Sequence, residues 1–183
     1  IVDFGAGSGR VTIPLLQKKF SVLTIDVSDQ SLKNLQHIAK ELKLPKPKIS
    51  KSFPNKKTFP AIVGADILHH VDLDKYLPIF YKSLKKKGVA VFSEPCALNL
   101  TWYAYLPFAS SWEIEKGITQ CTYFNLKKKF RKHGFSKVSI KGFGLLPTPL
   151  FTWSKTLCRL NDALGDLPFF KLFSYRYIIL AEK

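Results

Sequence analysis

The ten residues IVDFGAGSGR, Ile1 to Arg10, decide how the rest of the chain is read. Residues 1 to 4 are an apolar strand end interrupted only by Asp3. Glycines at 5, 7 and 9 then make a turn whose backbone can adopt positive φ and approach a ligand closely. A helix is expected directly after them, from Ser8 to Lys18, with its first amides turned toward a negative group. The spacing is G-x-G-x-G, whereas the dinucleotide fingerprint needs a glycine where Arg10 stands.

Outward from this turn the chain alternates. FSVLTID (20–26) is β-branched and reads as a strand, and Ser28 can cap a helix over 29–42 with Leu32, Leu35, Ile38, Ala39 and Leu42 at helical spacing. A short strand near Lys48–Ser50, a lysine-rich loop, a strand over 61–66, a helix over 73–86 and the strand GVAVFSEP (88–95) follow. Strands alternating with helices predict a doubly wound, Rossmann-like α/β sheet. Residues 96–121 are aromatic and polar together and resemble neither a clean strand nor a clean helix. A basic helix over 122–133 ends at Gly134, and SKVSIKG is a strand. A second insert, 142–173, holds Pro147, Pro149 and Pro168 around a helix. SYRYIILAEK then returns as an antiparallel last strand. One domain over 1–183 is expected. Ile1 is not a start methionine and a strand seldom opens a domain, so an N-terminal segment is expected to be missing.

With 46% hydrophobic and 23% charged residues the chain is globular, not disordered. Cys96, Cys121 and Cys158 are odd in number and lack metal-ligand spacing, which fits free thiols and a cytoplasmic setting and gives no expectation of a metal. The net charge is +16, yet only Arg10, Arg131, Arg159 and Arg176 are arginines. Phosphate readout leans on the guanidinium fork, so a lysine-rich solvated surface is favoured over nucleic-acid binding. The run KKKFRKH (127–133) keeps an RNA or polyanion partner as the alternative.

Asp3, two residues before Gly5, suits a ligand with an ammonium group, while the turn supplies amides for a carboxylate. Asp26, at the tip of the second strand, can accept from a ribose diol. An amino-acid end joined to a nucleoside is S-adenosylmethionine. On VDFGAGSGR (2–10), Asp26, TFPAIVGADILHHV (58–71), LKKKGVAVFSEP (84–95) and FRKHGFSKVSI (130–140), the chain resembles the class I S-adenosylmethionine-dependent methyltransferases, in particular the ubiquinone and menaquinone biosynthesis group. The resemblance implies a seven-stranded sheet in the order 3-2-1-4-5-7-6 with the last strand antiparallel. It also implies that Gly5, Ala6, Gly7 and Gly9 line the methionine and ribose portion of the cofactor, with Asp3 at the amino group, Asp26 at the ribose and Val27 against the adenine. Ala65 and Asp66 would contact it through the backbone, and helices ahead of the first strand would cover it. Two positions depart from the pattern. The acid expected after the third strand is replaced by Ser50 or Ser52, and Phe59-Pro60 stands where Phe-Asp is usual.

Methyl transfer is a displacement that depends mainly on alignment, so no protein nucleophile is expected. His69 and His70 are read as packing at the end of the fourth strand in preference to serving as a general base, and Asp72 and Asp74 as caps of the following helix. Glu94 either orients substrate or caps a neighbouring segment. Trp102, Tyr103, Tyr105, Phe108 and Trp112 could line an apolar pocket for a small or lipid-like acceptor. Trp153, Leu157, Leu160 and Leu164 form a helix face that covers substrate or touches a membrane peripherally.

Overall fold

The computed structural model describes residues 1–54 and 58–183. The end of the lysine-rich loop, residues 55–57, lies outside the described residues. In chain order the elements are β1 (Val2–Phe4), α1 (Thr12–Gln17), β2 (Leu23–Ile25), α2 (Asp29–Glu41), β3 (Lys48–Ser50), β4 (Phe59–Ala65), α3 (Leu73–Ser83), β5 (Leu84–Pro95), α4 (Leu100–Ala109), α5 (Trp112–Glu115), α6 (Tyr123–Lys132), β6 (Lys137–Phe143), α7 (Lys155–Asp166) and β7 (Arg176–Glu182). All seven strands form one sheet in the order β3-β2-β1-β4-β5-β7-β6. β1 to β5 pair in parallel, and β7 runs antiparallel to both β5 and β6. This is the order the resemblance implies.

Four boundaries differ from the sequence reading, each for a local reason. The first helix starts at Thr12, because Gly7 and Gly9 sit at φ +52° and +101° and the Gly9 amide turns back to Ala6 O. β2 starts only at Leu23, since the Phe20 amide is bonded to Leu15 O at the end of the preceding helix. α3 stops at Ser83; Leu84 is already extended and pairs with Phe59, and the register shifts, with Lys87 at φ +62°, before Val89 pairs with Ala61. The largest correction concerns 96–121, which is helical. Asn99 caps α4 by accepting the Thr101 amide. Apolar side chains lie all round this helix, with Leu100 79% and Phe108 88% exposed, so no period of 3.6 was visible.

The core is aromatic at its centre. Phe80 of α3 is fully buried and its ring lies 4.9 Å from Phe4 of β1, 5.4 Å from Phe92 of β5 and 5.6 Å from Phe53. These contacts tie α3 to the strands whose ends carry the site. α6 adds Leu126 and Phe130 to the same cluster, while α1 and α2 meet in a smaller one around Leu16, Val22 and Ala39. α7 lies so close to β6 that a Cβ on Gly142 would stand 1.9 Å from Gly165 O. Phe80→Ala should lower unfolding stability by about 3–5 kcal/mol, the cost of an aromatic-sized cavity. Urea denaturation checks this, and a loss below about 1 kcal/mol would mean that the aromatic cluster is not what holds α3.

Candidate functional site

The turn after β1 is shaped by three glycines with different duties. A side chain on Gly5 would meet Ile67 Cγ1 at 2.3 Å, and one on Gly9 would meet Leu35 Cδ1 at the same distance, so the turn is pressed between the β4 end and α2. Around Gly7 the space within 4 Å of an added Cβ is clear, and its amide donates to Asp26 Oδ2 at 2.7 Å. The amide of Ser28 donates to the other oxygen at 2.8 Å. Asp26 therefore locks the glycine turn to the β2 tip. Each of its oxygens still has a free lone pair. α1 is six residues long and begins beyond the turn, so the expected array of helix amides is replaced by individual backbone groups.

Behind the turn Asp3 is completely buried. Its Oδ2 accepts from the Thr12 hydroxyl at 2.6 Å, and its Oδ1 has no partner. Burial disfavours the charged form more than the Thr12 hydrogen bond favours it, and the carboxyl is pushed up to about 6.

A crevice of about 720 Å³ opens at the carboxyl ends of β1, β2 and β4. Of the sequence-derived residues, Gly5, Asp26 and Val27 line it, together with Ser52. Val27 is 84% exposed, an apolar side chain held in the open beside the crevice. Phe53, Ile67, Val71, Tyr76 and Ile79 complete the apolar lining. Asp3, Ala6, Gly7, Gly9 and Ala65 are not among the residues that line it.

Asp66 faces a second, smaller cavity of about 230 Å³, shared with His69, His70, Trp102, Tyr105 and Glu115. Its carboxylate is held by Arg176 and, at 2.6 Å, by Arg10. His70 lines both cavities. Glu94 is a cap: it is fully buried, and its Oε1 accepts the Ile67 and Leu68 amides at 3.0 and 2.9 Å. Its Oε2 meets His69 Nδ1 at 2.7 Å. Of the two histidines read as packing residues, His69 is buried and His70 is exposed. Burial alone would lower the His69 pKa, but the hydrogen bond to Glu94 and the charges of Glu94, Asp66 and Glu115 outweigh that and raise it. Asp72 caps α3, as expected, by accepting the Asp74 amide at 2.9 Å, whereas Asp74 itself gathers Lys129, Lys132 and His133.

Residues 2–90 match the family model described as a methyltransferase domain. The first half of the chain is thus similar to a methyltransferase domain. Over 110 residues it is 30% identical to a ubiquinone biosynthesis O-methyltransferase of Pelagibacter ubique, an alignment that takes in 58% of this chain and 45% of that relative. The chain thus spans less than half the length of the curated relative it matches. Its fold is shared with a possible histamine N-methyltransferase of Thermotoga maritima, at TM-score 0.71 and 16% identity, and with a methyltransferase of Archaeoglobus fulgidus, at 0.69 and 18%. Both superpositions cover 100% of this chain, and 81% and 85% of the respective neighbours.

The residues present fit S-adenosylmethionine, the cofactor that the resemblance implies. Asp3 Oδ1 is an orphaned acceptor, the space over Gly7 is clear, and Asp26 keeps acceptor capacity at the crevice wall. Sequence reasoning missed Phe53, Ile67, Tyr76 and Ile79, which are distant in sequence and look like ordinary core residues there. It also missed Glu115, which the α5 turn delivers to the histidines from 46 residues away.

The raised Asp3 pKa has a definite sign. The folded protein holds this proton more tightly than the unfolded chain, so its contribution to stability is full below about pH 4 and is lost as pH rises through about 6. Between pH 4 and 7 the parent should lose on the order of 3 kcal/mol relative to Asp3→Asn, since each tenfold change in proton affinity is worth about 1.36 kcal/mol. Denaturant melts of both proteins across this range check it, and parallel curves would contradict an abnormal Asp3.

Proposed function

We propose that this chain binds S-adenosylmethionine in the larger crevice and methylates a small or lipid-like acceptor held in the smaller cavity. The observation that carries this reading is the pair of cavities that share His70 in their walls, one beside the Asp26–Gly7 lock and the other walled by Trp102 and Tyr105. When bound, S-adenosylmethionine supplies a methyl group activated by the positive sulfur. Asp26 would accept from the ribose hydroxyls through its free lone pairs, and Val27 and Phe53 would flank the adenine. Asp3 Oδ1 would receive the amino group through a bridging water, since Asp3 does not line the crevice. Gly5, Ala6, Gly7 and Gly9 would serve by letting the backbone follow the methionine portion. Asp66 and Ala65 would fix the boundary between donor and acceptor.

Rate enhancement in this reading comes from alignment and from exclusion of water by the apolar lining. An apolar acceptor agrees with the aromatic wall contributed by α4. Peripheral membrane contact is part of the same proposal. Trp153, 78% exposed, stands with Leu150, Leu160 and Phe169 on the outer side of the second insert of a chain with net charge +16. Among the described residues no helix is long and apolar enough to cross a membrane. The RNA alternative is weakened because Lys129, Lys132 and His133 of the basic run are engaged by Asp74.

Calorimetry with S-adenosylhomocysteine should show saturable binding and none with NAD. Asp26→Ala should weaken that binding by about 10- to 100-fold, as expected for loss of about 1.5–3 kcal/mol of hydrogen bonding to a charged group. Unchanged affinity in this variant would remove Asp26 from the cofactor site.

A further inference from the structure

The side chains at the floor of the smaller cavity pose a problem in hydrogen bonding. His69 Nδ1 faces the buried Glu94 Oε2 at 2.7 Å, and the other Glu94 oxygen already takes two amides. With a proton on Nδ1, a neutral ring presents a lone pair at Nε2. That lone pair faces another acceptor, Glu115 Oε2, at 3.2 Å. His70 Nε2 lies 4.0 Å from the same oxygen. Two histidines and a carboxylate therefore converge, with one ligand atom from each all within 4.8 Å of one another.

We infer that His69, His70 and Glu115 form a binding site for a divalent transition-metal cation of the zinc class. Two imidazoles and one carboxylate are a donor set such ions take, leaving a position open. Metal–ligand bonds of about 2.0–2.1 Å around a tetrahedral ion put neighbouring donors about 3.3 Å apart. The His69–Glu115 pair already has that spacing at 3.2 Å, and His70, 4.0 Å from the same oxygen, has to move in to complete the set. Glu94 acts as the outer carboxylate that fixes the His69 tautomer and aims Nε2 at the ion. A single proton shared by His69 and Glu115 would relieve the clash of acceptors but would leave the approach of His70 unused.

The backbone is arranged to hold this geometry. A Cβ on Gly117 would stand 1.8 Å from His69 O, so the turn after α5 can lie against the histidines only with glycine there. Gln120 secures the contact by donating to Leu68 O at 3.2 Å. The open position faces the cavity walled by Asp66, Trp102 and Tyr105. An acceptor hydroxyl or vicinal oxygen pair would bind there. That last clause rests on the methyl-transfer reading, whereas the metal site itself does not.

Zinc titration of the metal-stripped chain, followed by calorimetry and thermal melting, tests the inference, with Co²⁺ absorption reporting the ligand geometry. One saturable site is expected, with a raised melting temperature and the intense visible bands of tetrahedral or five-coordinate cobalt. Glu115→Gln and His70→Ala should each weaken binding more than tenfold while their far-UV spectra stay native. Since His37 and Glu41 form an exposed pair 3.2 Å apart, His37→Ala should leave the affinity unchanged. Absence of saturable zinc binding in the parent would overturn the site, as would loss of binding in the His37 variant alone. Failure of cofactor binding with zinc binding intact would count against the methyl-transfer reading and not against this one.

Discussion

Glu94 is the buried charge on which the ligand-facing end of the sheet depends. A carboxylate removed from water is costly unless its acceptor sites are filled, and here they are filled by two amides and an imidazole, all from the turn after β4. The consequence is a turn with one conformation. It carries Ile67 beneath Gly5, where no side chain larger than hydrogen fits, and so sets the height of the glycine turn. It also presents His70 to both cavities and His69 to the smaller one. The end of β5 thus positions the β4 turn, which in turn positions the end of β1.

A second constraint acts at the same edge. Asp66 has φ +55°, a strained conformation for a residue with a side chain, and it is fixed there by Arg10 from the glycine turn and Arg176 from the start of β7. Arg176 also donates through Nε to Ser93 Oγ at 3.1 Å and lies over the Trp102 ring. Half of the chain's four arginines are spent on one carboxylate. Much of the positive charge elsewhere is lysine.

The sheet was legible because its signals are local. Glycine spacing, β-branched runs and the caps at Ser28 and Asp72 depend on residues near one another in sequence, and those elements occur in the expected order, with ends shifted by local hydrogen bonds and glycine geometry. α4 was not legible, since a helix apolar on every side has no periodic signature. Asp3, Asp26 and Val27 could be named because they are anchored to strand ends. Asp3 nevertheless does not line the crevice, and its carboxylate is taken up by Thr12. Phe53, Tyr76 and the His69–Glu115 approach follow from how loops and helices fold over the strand ends, which no local pattern encodes.

The central claim is that a cofactor made of an amino acid and a nucleoside lies across the carboxyl ends of β1, β2 and β4. A crystal structure of the chain with S-adenosylhomocysteine tests this most directly. The account predicts ribose hydroxyls within hydrogen-bond distance of Asp26, adenine between Val27 and Phe53, and the sulfur near His70. Density for the nucleoside outside this crevice, or a ribose remote from Asp26, would contradict it.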